Sequence, residues 1–588
     1  MSGVAGLAVR ERRVSGELTA DLSRELKRAA LEAGAPADFE PQLERPRDPR
    51  HGDYATNAAL ILAGQLGQPP RQVAERIAAV LDRTAAGIAD LSVAGPGFIN
   101  FRLGDAAYWR KLRQIFAADR GYGRGDAPTG RRVNVEFVSA NPTGPLHVAH
   151  GRGAAIGDVV ASLLEWLGDE VVREFYVNDA GRQIDLLAAS VEARWRQLAG
   201  ADVEVPEGGY MGGYVRELAE EIEADLGREK LAGLDEAERR RLFGDFAMGR
   251  LRAEQERDLE EFRVHMDVFR EESGLYARGE VAEALAQLGA AGLTYSHDGA
   301  TWLDTIRFGD DKDRVLVKSD GSYTYFLPDV AYHADKHARD FDVAIDVWGA
   351  DHHGHVPRMR AALQGLGLPD AFLEVLIIQL VTVLRGGEEV RMSKRAGQFV
   401  TLRELFEETG VDVARYFFLM RRAEVPMSFD LDLALDTSEA NPVYKVQYAH
   451  ARMCSVFEKA GVQPERIDAS EAELTELTRE SERDLAKSLL RFPDVVRAAA
   501  HARAPYQVCA YLEEVAGRVN AWYHEGNLEP ALRVIADGPA RPGRLALARA
   551  VQITLRNGLE LLGVSAPPRM ARGPDDERLP LREGMKVR

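Results

Sequence analysis

The stretch 133–151, VNVEFVSANPTGPLHVAHG, constrains the fold of this chain more than any other. Val133, Val135 and Phe137 alternate with Asn134, Glu136 and Val138, which is the period of a buried or half-buried strand. Ser139-Ala-Asn-Pro-Thr-Gly-Pro145 then breaks the strand with turn formers. From Leu146 the spacing becomes helical, with Ile156, Val159, Val160, Leu163, Leu164 and Leu167 on one apolar face. A strand feeding a helix through such a turn brings helix N-terminal amides to a point where a phosphate can sit. His147 and His150, three apart in the first turn, share a face near that end. Taken alone, two histidines opening a helix are more often caps or surface residues than catalysts.

Far downstream, Arg391-Met-Ser-Lys-Arg395 forms a basic cluster in a glycine-containing loop. Together the two segments resemble the paired signatures of class I aminoacyl-tRNA synthetases, His-x-Gly-His and Lys-Met-Ser-Lys-Ser. The surrounding SANPTGPLHVAHGR resembles the arginyl-tRNA synthetases in particular. Two departures stand out: Ala149 replaces the glycine of the first signature, and Arg391 the first lysine of the second. Lys394, the more important cation, is in place.

The chain order extends the resemblance. At 588 residues several domains are expected, each with its own core. Residues 1–120 read as a small α+β domain, with helices at 18–33, 57–66 and 70–81 and a strand pair around Gly95-Pro-Gly97. His51-Gly-Asp-Tyr-Ala-Thr-Asn57 and Gly95-Pro-Gly-Phe-Ile-Asn100 resemble the additional N-terminal domain of arginyl enzymes, which implies contact with the tRNA elbow through Asn57, Phe98 and Asn100. Residues 121–131 make a plausible linker. An α/β Rossmann-like catalytic domain is expected over 121–410, its second strand at 171–177. The densely charged segment about 202–278 reads as a solvated insertion between the two halves, without chemistry of its own. Asp320-Gly321 predicts a hairpin, with Tyr323 and Tyr325 on one face, and Pro328 is expected to open a helix. A strand at 341–348 leads into Gly349-Ala-Asp-His-His-Gly354. The apolar run 376–383, which contains Gln379, is a further strand. From Val411 only helices are expected, and 411–570 resembles an all-α anticodon-binding domain. There Tyr444, Gln447, Tyr448 and Arg452 mix aromatic platforms with a cation, as single-stranded bases require. The charged segment 571–588 reads as a disordered tail.

The resemblance implies ATP-dependent joining of L-arginine to tRNA(Arg) through an adenylate, with His147, His150, Lys394 and Arg391 acting on the phosphates. It places ATP against Gly144, Pro145, Leu146, Ala149, Gly151, Gly349, His352, Gln379, Met392 and Ser393. Asp351 stands where carboxylates commonly bind ribose. Glu136, Ser139, Asn141, Tyr325 and Asp329 fall on arginine-binding positions, and converging carboxylates suit a guanidinium fork. Mg²⁺ is expected with the ATP phosphates. No resident metal is expected: Asp351, His352, His353 and His355 are a weak candidate because adjacent histidines on a turn diverge.

With only Cys454 and Cys509, neither a disulfide scaffold nor a four-cysteine zinc site can be built. A net charge of −18 argues against indiscriminate nucleic-acid binding, so tRNA has to meet local basic faces. The chain has no long apolar run and no signal-peptide order, so a cytoplasmic protein is expected. A monomer is expected too, though no residue argues for it. Two other readings compete. A class I lysyl-type enzyme would share a cation-seeking pocket, and a non-catalytic tRNA-binding paralogue would keep the fold without the chemistry.

Overall fold

Five parallel strands form the centre of the molecule, in a computed structural model that describes residues 13–14, 17–46, 48–390 and 400–570. They are β1 (Arg132–Glu136), β2 (Glu170–Val177), β3 (Val268–Glu271), β4 (Val343–Gly349) and β5 (Leu373–Ile378), in the spatial order β5-β4-β1-β2-β3. All four pairings are parallel. This is the doubly wound nucleotide-binding order, whose switch point lies between β1 and β4. Helices cover both faces of such a sheet, which is why Val133 to Glu136 are buried without alternation.

The helices that position the site are α1 (Val148–Trp166), α2 (Arg182–Leu198), α3 (Gly213–Leu226), α4 (Glu236–Glu261), α5 (Phe326–Ala338), α6 (Leu402–Thr409) and α7 (Val411–Leu419). Helix α1 lies close on the strand that precedes it. A Cβ at Gly157 would come within 2.2 Å of the Phe137 ring, so only glycine permits this approach. N-terminal to the parallel sheet, five short antiparallel strands and the helices Glu17–Glu32, Ala58–Leu66 and Pro70–Val80 form the expected α+β unit. The C-terminal part is helical, its longest members being α8 (Pro442–Ala460), α9 (Tyr506–Leu528) and α10 (Arg541–Leu561).

Several expectations are corrected. The charged insertion falls between β2 and β3, inside the first half of the sheet, and the stretch 202–278 includes β3 itself. It is also not merely solvated: α2, α3 and α4 close a core of Leu187, Val191, Trp195, Val215, Phe243 and Leu251. The expected linker at 121–131 is packed. Tyr122 is buried and donates to Leu489 O, and a Cβ at Gly123 would meet the Phe492 ring at 2.5 Å. Gly123 and Gly125 serve close approach rather than flexibility.

The apolar run 376–383 is two strands, broken at Gln379 and Leu380. The second, Val381–Arg385, leaves the main sheet to pair with Met427–Asp430, so the chain beyond Val411 is not wholly helical. After Asp320-Gly321 the return strand shrinks to a Val317–Tyr323 bridge. Helix α5 then begins at Phe326, which makes Pro328 its third residue and Tyr325 its helical N-cap, not a strand residue sharing a face with Tyr323. Pro328 costs nothing there, because the first four N–H groups of a helix have no partner within it.

One buried guanidinium joins the parts. Arg415 of α7 donates to Leu562 O beyond α10, to Phe262 O and Arg263 O after α4, and to Asp158 of α1. Gly157→Ala is expected to destabilise the catalytic unit by about 2 kcal/mol through overpacking against Phe137, read as a lowered urea midpoint.

Candidate functional site

Register across the sheet sets the charges of the site. Asp346 of β4 lies beside Glu136 of β1, which lies beside Glu174 of β2, so carboxylates form a row across adjacent strands. All three are buried. Helix α5 neutralises them from one face, as residues spaced three and four apart can. Lys336 Nζ donates to Glu136 Oε2 (2.6 Å) and Asp346 Oδ1 (2.8 Å). Tyr332 and Arg339 hold Glu174, the latter through two parallel bonds of 2.7 and 2.8 Å. His333 donates from Nδ1 to Asp329 O (2.7 Å) and from Nε2 to Asp346 Oδ2 (2.6 Å). Two acceptors on two ring nitrogens require an imidazolium. Burial alone would push His333 toward neutrality, but the Asp346 carboxylate outweighs it and holds the group up at about 10.

The row ends at Asp329, one turn up α5 from His333. His355 Nε2 lies 2.6 Å from Asp329 Oδ2, and the Tyr325 ring stacks on His355 at 6.3 Å. Burial works against the charge of Asp329, yet His333 and His355 keep its carboxyl well below the usual carboxylate range. Asp329 and Tyr325 are thus brought together through His355, and Tyr325 is 75% exposed. Glu136 and Ser139 are placed differently from expectation. The Glu136 carboxylate is taken by Lys336 and by Ser139 Oγ (2.9 Å), while Ser139 Oγ also accepts from Tyr176 N. The converging carboxylates therefore meet the protein's own cation. Asn141 Nδ2 donates to Gln183.

The first signature comes after a strained turn. Val138 and Ser139 have φ of 69° and 40°, and Ser139 N donates to Phe137 O at 3.0 Å, closing a γ-turn of the rare positive-φ kind. His147 and His150 are indeed caps, and capping orients them. His147 Nδ1 accepts from Ala149 N (3.3 Å), and His150 Nδ1 accepts from His147 N (3.2 Å). A neutral ring accepting at Nδ1 carries its hydrogen on Nε2, so both rings, stacked at 3.7 Å, are set as Nε2–H donors.

The first signature is also tied to the segment immediately C-terminal to the second. Val148 N donates to Val400 O, Leu402 N to Leu146 O, and His147 bridges Thr401, the N-cap of α6. Gly151, expected near ATP, is buried, and its missing Cβ would sit 2.6 Å from Leu402; its smallness serves packing, and Leu146 is buried likewise. Gly144 and Pro145 are half-buried in the turn, and Ala149 is half-buried behind the histidines.

At the end of β4, Gly349, Asp351 and His352 are exposed beside the switch point, with His352 Nδ1 3.3 Å from Asp351 Oδ1. His355 is buried and turned to Asp329, so the histidine run does not converge on a metal. Gln379 lies in the break after β5, its carbonyl held by the fully buried Arg152. Arg391, Met392, Ser393 and Lys394, and the expected tail 571–588, lie outside the described residues.

On the helical part, Tyr444 and Tyr448 stack at 5.6 Å, and Arg452 lies over Tyr448 and Tyr523 at 4.6 and 4.7 Å. Tyr448, Arg452, Lys459, Tyr523 and Asn527 border a cleft of about 310 Å³. Gln447 is not part of that surface: it is buried and donates to Asp412 and Ser565 O. In the N-terminal unit Asn57 and Phe98 are half-buried, whereas Asn100 is buried. Lys336 and Asp346 were missed in the sequence, and His355 was read only as part of a weak metal candidate rather than as the partner of Asp329. The signal was there for Lys336, which stands seven residues after Asp329 with His333 between, all on one helical face.

Three family descriptions match the chain: an arginyl tRNA synthetase N-terminal domain over 16–103, a class I (R) tRNA synthetase catalytic domain over 111–423, and a DALR anticodon-binding domain over 446–570. An arginine–tRNA ligase of Geobacillus kaustophilus is 46% identical over 95% of this chain and all of its own length. One of Bacillus subtilis is 45% identical over 93% of this chain and 98% of its own. The solved arginyl-tRNA synthetase of Thermus thermophilus superposes with a TM-score of 0.71 at 25% identity, covering 94% of this chain and 100% of that one.

The His333 charge makes a testable pH signature. A pKa raised from 6.5 to about 10 gives stability that is complete below pH 6.5 and is lost as pH rises through the higher value. The melting-temperature gap between wild type and His333→Gln is therefore expected to narrow between those limits. A constant gap would exclude the imidazolium.

Proposed function

Because this chain belongs to the arginyl-tRNA synthetase family, an ATP-dependent class I ligase that attaches arginine to tRNA, we propose how its residues divide that work. The observation that carries the reading is the histidine pair, set as Nε2–H donors at the switch point between β1 and β4. There they meet the ATP phosphates with the N-terminus of α1 behind them. The arginine carboxylate attacks the α-phosphorus, the bond to the β-phosphate oxygen breaks, and pyrophosphate leaves. No general base is needed, since the nucleophile is already ionised. His147 and His150 stabilise charge moving onto the phosphates. Lys394, with Arg391, adds cations to the leaving group, an assignment that rests on the sequence. In the second step the 3′-terminal adenosine hydroxyl of tRNA(Arg) attacks the carbonyl of the adenylate and releases AMP.

Gly349 and Asp351 take the ribose at the end of β4, with His352 beside them. Magnesium enters as part of the Mg·ATP substrate. Glu136, His333 and Asp346 come within metal-binding reach of one another, but Lys336 already fills their centre, and Asp329 is engaged by His355. This leaves the phosphates to carry the ion.

Asp329 reads the guanidinium, with Tyr325 and Asn141 alongside. Arg452 and the stacked Tyr444 and Tyr448 receive anticodon bases, and the N-terminal unit, through Asn57 and Phe98, meets the tRNA elbow. The enzyme works as a cytoplasmic monomer.

ATP–pyrophosphate exchange with arginine, lysine or the remaining amino acids, each with and without bulk tRNA, tests this reading. Exchange with arginine alone supports it. Exchange with lysine would move the pocket assignment, and tRNA binding without any exchange would leave a non-catalytic paralogue. Asp329→Asn is expected to raise the KM for arginine far more than that for ATP, and equal effects would remove it from the pocket. His150→Ala should lower kcat of exchange by about 10²–10³, the usual cost of a lost donor to developing negative charge.

A further inference from the structure

The insertion between β2 and β3 has no part in that chemistry, yet one face of its longest helix grips the site. Gln255 of α4 is 3% exposed, and its Nε2 donates to Asn141 O (3.1 Å) and Gly144 O (2.8 Å). Three residues on, and so on the same helical face, the fully buried Asp258 accepts from Arg403 Nε and Nη2 at 2.9 and 2.6 Å. Arg403 is the second residue of α6, two residues after the Thr401 that bridges His147. From α3, Tyr214 OH donates to Thr143 O at 2.9 Å.

We infer that α4 is a clamp in which Gln255 is a positioning residue for the first signature turn and Asp258 for the stem C-terminal to the second signature. One rigid face thereby fixes the two relative to each other. The choice of carbonyls supports this. Asn141 precedes Pro142 and Gly144 precedes Pro145, so both peptides lack an N–H and the oxygen is their only polar handle. An amide offers two hydrogens to two such oxygens without adding charge beside the phosphate site. Holding these planes holds the approach to His147, two residues beyond Pro145. The inference rests on the placement of His147 and His150 at the phosphates.

The test uses the full chain with tRNA present and measures arginine-dependent exchange, tRNA affinity and melting temperature. Gln255→Met keeps the length and removes the donor. It is expected to lower kcat of exchange by about a hundredfold, the scale of a small misplacement of reacting groups, with tRNA affinity unchanged. Gln255→Glu supplies a reading that mere packing would not move. Its protonated form donates to one carbonyl and its ionised form repels both, so its exchange falls with rising pH while Gln255→Met keeps the wild-type profile. At low pH this variant also serves as the folding control. A double-mutant cycle with Asp258→Asn is expected to be non-additive in kcat. Unaltered kcat in Gln255→Met, a wild-type pH profile in Gln255→Glu, or additivity in the cycle would each overturn the clamp. A wild-type chain without arginine-dependent exchange would overturn the phosphate-site reading instead, which separates the two failures.

Discussion

The row of buried carboxylates Asp346, Glu136 and Glu174 is the constraint on which the catalytic sheet depends. Charges of one sign on neighbouring strands in a low-dielectric interior would drive the strands apart or take up protons. Lys336, His333 and Arg339 oppose both: they hold Asp346 and Glu174 below the usual carboxylate range, while burial still pushes Glu136 up against the pull of Lys336, and all three cations belong to α5 or its cap. The register of the sheet and the rotation of α5 are therefore mutually dependent: a shifted helix would leave a buried charge unpaired, at a cost of about 3–5 kcal/mol. Asp329 stands on that same helix, so its place is inherited from the row, and His355 then fixes its carboxylate.

In the two signature histidines the capping role falls on Nδ1 and the proposed catalytic role on Nε2 of the same rings. Capping engages Nδ1 of both rings, which sets the tautomer that presents Nε2–H. Readings that set caps against catalysts thus pose a false choice here. The strained turn at Val138 and Ser139 lies just upstream, where a β-branched residue at positive φ persists only if the surroundings impose it. Those surroundings include Tyr176 N on Ser139 and Gln255 on the carbonyls beyond.

Much of the fold was legible in the sequence because it is written in local periodicity. The strand around Val135, the helix after Leu146 and the turn at Gly95-Pro-Gly97 all appear where the pattern puts them. The parts that could not be read depend on partners distant in the chain. Glu136 looked like a ligand for guanidinium because Lys336, two hundred residues away, leaves no local trace. Gly151 looked like a phosphate contact because its neighbours Leu402 and Phe418 arrive from beyond the second signature. Gln447 sat within an aromatic stripe, yet it turns inward to Asp412. The charged insertion hid Gln255, since one buried amide amid many solvated carboxylates does not alter the composition.

Arg415 bears on how such a protein can be divided. Its guanidinium is satisfied only when the segment after α4, helix α1 and the carbonyl beyond α10 are all present. Asn557 of α10 likewise holds the carbonyls of Asp119 and Tyr122 at the entry to the parallel sheet. The helical C-terminal part is therefore not a cartridge that can be exchanged between relatives at a linker. Its last long helix completes the interior of the catalytic unit, so a graft would have to carry both sides of that seam together.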